Sequence, residues 1–152
     1  MVSHGETVPF EINGPGDYEI KDIFIKGIMT ETTLSGKKYI NTIYTFTIDN
    51  ISICFLGCIS EGKLGNDILG QIESSDIVFL PVGNSELLSA SDAYKLAVSL
   101  ESKVIIPMDY DDKTLKVFLK ESGEESVKPV DKLTIKAKDL VGREGDVIVL
   151  SF

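Results

Sequence analysis

The groups able to do chemistry in this chain cluster at three places: Gly57-Cys58, Pro81-Val82-Gly83-Asn84 and Pro107-Met108-Asp109-Tyr110. Each follows a short apolar run, and in open α/β sheets ligands bind beyond the carboxyl ends of strands. Cys58 offers a thiolate and Asp109 a carboxylate, both acceptable to zinc, and His4 is the single imidazole. Asp109, Asp111 and Asp112 form an oxygen-rich group that a hard cation could visit, or that caps a helix N-terminus. Ser89 and Ser91 have no histidine nearby in sequence, and neither a Gly-x-Ser-x-Gly elbow nor a phosphate-binding glycine loop occurs. Asn13-Gly14-Pro15-Gly16 reads as a turn, because its proline lacks the N–H that a phosphate cradle needs.

The elements that must position these groups follow from hydrophobic spacing. Asp76 to Tyr110 reads as strand, crossover helix, strand, with continuous apolar runs at Ile77 to Val82 and Val104 to Ile106. Ser89 or Ser91 would cap the helix, and Ala93, Leu96, Ala97 and Leu100 would form its buried stripe. Tyr44 to Ile48 alternates, Asp49-Asn50 turns and Ile51 to Leu56 returns, which predicts a hairpin. Tyr18 to Lys21 and Ile23 to Lys26 alternate in part and read as strands. Met29 to Lys38 reads as a polar loop. Gly62, Gly65 and Gly70 predict a short or irregular helix within Ser60 to Ser75. Asp111 or Asp112 would start a further helix that Gly123 ends, and Lys132 to Lys136 and Val147 to Leu150 are expected as closing strands.

With 152 residues, 43% of them hydrophobic, the chain fits one domain spanning 1–152. Fifteen basic against 24 acidic residues give a net charge of −9, and the basic ones are scattered, which disfavours nucleic acid. No apolar run is long enough for a membrane span, and Met1 to Gly5 lacks the pattern of a signal peptide, so a cytoplasmic location is expected. Cys54 and Cys58, if in one extended strand, stand roughly 13 Å apart, beyond disulfide reach, and are expected as reduced thiols.

The succession NGPGDYEIKDIFIKGI, NTIYTFTIDNISICFLG, DIVFLPVG, VIIPMDY and VKPVDKLTI resembles the metallo-β-lactamase fold. Within it the chain looks like the Zn-dependent hydrolase branch related to the ascorbate-phosphate lactonases. The resemblance implies an α/β (α+β) chain folded as an αββα sandwich, here with an incomplete first half. It also implies a zinc site fed by a His-x-His-x-Asp-His motif, an Asp in Leu-Gly-Asp and a His in Pro-Met-His-Tyr. Position by position, Ser3-His4-Gly5-Glu6 could at most open the first motif. Leu56-Gly57-Cys58 carries Cys58 where the Asp stands, and Pro107-Met108-Asp109-Tyr110 carries Asp109 where the His stands.

Two readings remain open for these positions. In one, Cys58 is a small buried thiol, Asp109 a helix-proximal cap or partner of Lys113, His4 unstructured, and no cofactor is expected. In the other, Cys58, Asp109 and His4 are remnants of a zinc site. The function expected is accordingly a degenerate, zinc-hydrolase-like scaffold, not catalytic alone, with a role in binding or assembly. A homo-oligomer or a partner chain would cover the missing half. The alternative is a metal-dependent hydrolase whose site another subunit or chain completes. A misplaced start at Met1, with the missing ligands encoded upstream, is a third.

Overall fold

The computed structural model describes residues 10–83 and 86–151. Its strands are β1 (Gly16–Ile20), β2 (Ile23–Leu34), β3 (Lys37–Ile48), β4 (Ile51–Phe55), β5 (Ile77–Pro81), β6 (Val104–Met108) and β7 (Asp146–Val147). The helices are α1 (Asn66–Ile72), α2 (Ala90–Ser99) and α3 (Asp112–Ser122), with a short 3-10 turn at Ala137–Leu140. The strands form one sheet in the order β1-β2-β3-β4-β5-β6-β7. The first four are antiparallel, and β4 to β7 run parallel.

Because side chains alternate across a strand, this register sorts the sheet into two faces. Cys54, Leu56, Val78, Leu80 and Ile105 point to the side that α1, α2 and α3 cover, where they pack with Leu96 and Phe118. Ile51, Ile77, Val104 and Ile106 point to the other side, against Leu133, Ile135 and Leu140 of the C-terminal segment. The chain thus has the mixed α/β sheet expected of the fold, with its helices outside one β layer.

Local chemistry explains where the elements stop. Ser89 caps α2 by accepting from the Asp92 N–H. Asp111 caps α3 in a reciprocal pair with Thr114, and Gly123 closes that helix in the left-handed conformation at φ 74°. The β3–β4 reversal places Asp49 and Asn50 at φ 50° and 61°, angles these short polar residues tolerate. Glycine-rich residues 60–75 yield only the seven-residue helix α1.

Two expectations are corrected. The segment expected as a loop, Met29 to Lys38, is strand on both sides of a tight Ser35-Gly36 turn, because its β-branched threonines suit extended chain and the segment pairs with β3 from Met29↔Thr42 to Leu34↔Lys37. At the C-terminus, Lys132 to Lys136 joins no strand, and β7 is limited to Asp146–Val147. Val130 bridges Leu150 in parallel, so the segment lies across the sheet as a covering strap.

Candidate functional site

The turns after β4, β5 and β6 lie at one edge of the sheet, since these strands are parallel neighbours. After β4, Leu56 is buried and Gly57 takes a left-handed φ of 66°. The Asn41 side chain, 7% exposed, holds this turn. Its Nδ2 donates to the Leu56 carbonyl at 3.0 Å and to Thr30 Oγ1 at 2.9 Å, and its Oδ1 accepts from the Cys58 N–H at 2.9 Å. A Cβ on Gly57 would run into Asn41 Oδ1, so the close approach needs glycine as much as the φ does. The result projects Cys58 into solvent, while Cys54, two turns of the pleat earlier, is enclosed. Burial pushes the Cys54 thiol up to about 12, leaving it protonated and unreactive.

After β5, the Val82 N–H donates to the Met108 carbonyl at 3.0 Å, tying this turn to β6. Gly83 lies against Tyr110 and Thr114, where a Cβ would meet the Tyr110 Cα at 2.8 Å. After β6, Asp109 is exposed with φ 50°, a left-handed angle unusual outside glycine. Tyr110 donates its hydroxyl to the Leu150 carbonyl at 2.7 Å, and burial raises its pKa. The next carboxylate, Asp111, is held below its ordinary value chiefly by the Thr114 N–H and then by the Thr114 hydroxyl.

The β2–β3 hairpin reaches the same edge. Its Thr33 N–H donates to Ser60 Oγ at 2.9 Å, and Ser35 Oγ donates to the Glu86 carboxylate at 3.0 Å. The opposite edge carries a separate polar knot at Asp76. Burial pushes that carboxyl up, but Lys103 at 2.7 Å, with the N–H and hydroxyl of Ser52, outweighs it and holds the pKa low.

Cys58 and Asp109 are therefore brought to one edge, following strands β4 and β6, which lie about 10 Å apart with β5 between them. Both are exposed, so the expectation of a buried Cys58 is corrected: the tight turn at Gly57 turns it outward. The helix cap is Asp111 and not Asp109. His4, Asn84 and Ser85 lie outside the described residues. Among the described residues no three His, Cys, Asp or Glu side chains converge as a metal-binding group. Catalytic zinc takes three protein ligands, so this donor set does not fit it unaided. Sequence reasoning missed Asn41, whose only signal was a polar residue on the inward side of an alternating strand, two positions from Ile43.

The Beta-lactamase superfamily domain profile matches residues 6–109. Similar curated proteins are UPF0173 metal-dependent hydrolases. One from Listeria welshimeri is 37% identical over 68 residues, covering 43% of this chain and 28% of its own length. One from Listeria innocua is 28% identical over 110 residues, covering 67% of this chain and 46% of its own. The chain thus spans less than half the length of these relatives. Among solved structures, one described among the Zn-dependent hydrolases of the metallo-beta-lactamase superfamily, from Thermotoga maritima, superposes with a TM-score of 0.71. It is 30% identical and covers 91% of this chain and 70% of its own. A second, from Parabacteroides distasonis, has a TM-score of 0.57 at 20% identity, covering 91% of this chain and 56% of its own, which is a likeness of fold.

Proposed function

This chain belongs to the beta-lactamase superfamily, the family of the metal-dependent hydrolases it resembles, and from that premise we propose that it is a scaffold that does not hydrolyse alone and serves in binding or assembly. The observation that carries this reading is the pair Cys58 and Asp109. They occupy the positions that resemble the family's ligand motifs, at one sheet edge, and among the described residues no three metal-capable side chains converge there. Two separated, solvent-exposed ligands seldom hold zinc against water, because each must be ordered at an entropic cost that a complete ligand set shares.

A second reading rests on the same placement. Cys58 and Asp109 face one edge, so a further chain bringing imidazoles there would complete a zinc site that activates water. The experiment that separates the two is elemental analysis of purified protein after zinc loading, beside Cys58→Ala and Asp109→Ala. Zinc well below one per chain, unchanged in both variants, is the expected result. Near-stoichiometric zinc that either substitution removes overturns the scaffold reading in favour of the second.

A further inference from the structure

The turn that leads into β1 is used by neither reading of the candidate site. It holds Asn13-Gly14, the only Asn-Gly pair in the chain. An asparagine side chain is open to attack by the main-chain nitrogen of the residue that follows it, and glycine, having no Cβ, hinders that nitrogen least. In a folded chain the reaction also needs freedom in the peptide that joins the two residues.

That peptide is the loose link of this turn. Asn13 is exposed, and among the described residues neither its side-chain amide nor the Asn13–Gly14 peptide has a hydrogen-bond partner. The links on either side are tethered. The Gly14 carbonyl accepts from the Tyr18 hydroxyl at 2.9 Å and from the Tyr44 hydroxyl at 3.2 Å, and the Ile12 carbonyl lies 3.5 Å from the same Tyr44 hydroxyl. Beyond them the turn is pressed onto β2, where a Cβ on Gly27 would meet the Gly14 carbonyl oxygen at 2.9 Å. The other described asparagines are guarded. Both ends of the Asn41 amide are engaged in hydrogen bonds, and Asn66 is held in α1. Asn50 precedes Ile51, whose branched Cβ crowds the nitrogen that would attack.

We propose that Asn13 is a site of spontaneous deamidation through a cyclic imide, and that its isoaspartyl product loosens the anchor of β1. The Gly14 nitrogen bonds to Asn13 Cγ, the Cγ–Nδ2 bond breaks, and the Gly14 amide proton departs with the side-chain nitrogen as ammonia. Water then opens the imide and is the only co-reactant. Cleavage between Cγ and the Gly14 nitrogen gives aspartate on an unaltered main chain. Cleavage between that nitrogen and the main-chain carbonyl carbon gives isoaspartate, in which the chain runs through the former side chain. The second product adds one main-chain atom between the carbonyls of Ile12 and Gly14, the two that the tyrosines hold in place. One of those tethers must then give way, next to the Gly16↔Gly27 pair that starts the β1–β2 ladder.

The test is to age the whole chain in native buffer and in urea, then digest it for peptide mass spectrometry beside Gly14→Ala. A Cβ on Gly14 would meet no atom within 4 Å, so this variant keeps the turn while hindering the attacking nitrogen. The Asn13 peptide should gain about one dalton and separate into two products of equal mass, while the Asn50 and Asn66 peptides stay intact. The native rate should lie within about threefold of the rate in urea, because no local opening is needed. Gly14→Ala should slow the reaction about tenfold. An Asn13 that reacts in urea but stays intact in native buffer overturns the assignment, as does a rate that Gly14→Ala leaves unchanged. For the second part, hydrogen exchange over Gly16–Ile20 is compared between the separated isoaspartyl chain and Asn13→Asp, which carries the same charge on the ordinary main chain. Lower protection in the isoaspartyl chain is the expected result, and equal protection in both overturns the link to β1.

Discussion

The two faces of this sheet are built from the same strands, yet they end in different states. On the helix side Leu56, Val78 and Leu80 are wholly buried beneath α1, α2 and α3. On the opposite side, the neighbouring Phe55 is 38% exposed, and its ring lies 6.2 Å from that of Phe79, its partner on the adjacent strand. Alternation alone would make both sides equally apolar, and it does. What differs is the cover, which three helices supply on one side and a short strap supplies over part of the other. Among the described residues the sealed side therefore supplies most of the free energy of apolar burial.

The most damaging change should be Phe118→Ala on the sealed side. Phe118 is fully buried and packs edge-to-face on Tyr94, so truncation should cost about 3–5 kcal/mol in urea unfolding. A cost near that of a surface change would mean that the helix layer is not the main core. Next, Asn41→Ala should cost about 1–3 kcal/mol, because it strands the Leu56 carbonyl and the Cys58 N–H that the amide satisfies. Its amide proton signals around Cys58 should also lose protection in hydrogen exchange.

Lys103→Ala tests a pair at the sheet edge that belongs to neither face. The Asp76 carboxyl has a depressed pKa in the folded chain, so its contribution is present above the ordinary carboxylate value of about 3.9 and is lost as pH falls through the lower folded value. The difference between wild type and variant should stay below about 1 kcal/mol at neutral pH and vanish in acid. A difference that grows in acid would reverse the assignment. Smallest of all, Ile40→Ser on the open side should shift stability by no more than about 0.5 kcal/mol in dilute solution, since its side chain is already 69% exposed.

Much of the fold was legible because its signals are local. The Asp49-Asn50 reversal, the Ser89 and Asp111 caps, the Gly123 stop and the β5-α2-β6 unit each announce themselves within a few residues. The β2–β3 tip was not, because a polar, threonine-rich run reads as loop until a partner strand is known. The closing segment failed for the converse reason: Leu133 and Ile135 alternate as strand residues do, but they serve a face and find no ladder. At the candidate site, strand-end logic placed Cys58 and Asp109 on one edge. The role of Asn41 was invisible, because it depends on which residue the turn after β4 folds back upon.

The strand order has a consequence for how the chain comes to be built. Every strand neighbours the one made immediately before it, so the sheet can lengthen strand by strand as residues leave the ribosome. The antiparallel portion closes only tight reversals, and its loop-closure penalty is correspondingly small. Each parallel addition must wait for an intervening crossover, so β5 and β6 should set the pace of maturation, and β1 through β4 can stand ready as the template on which they zip.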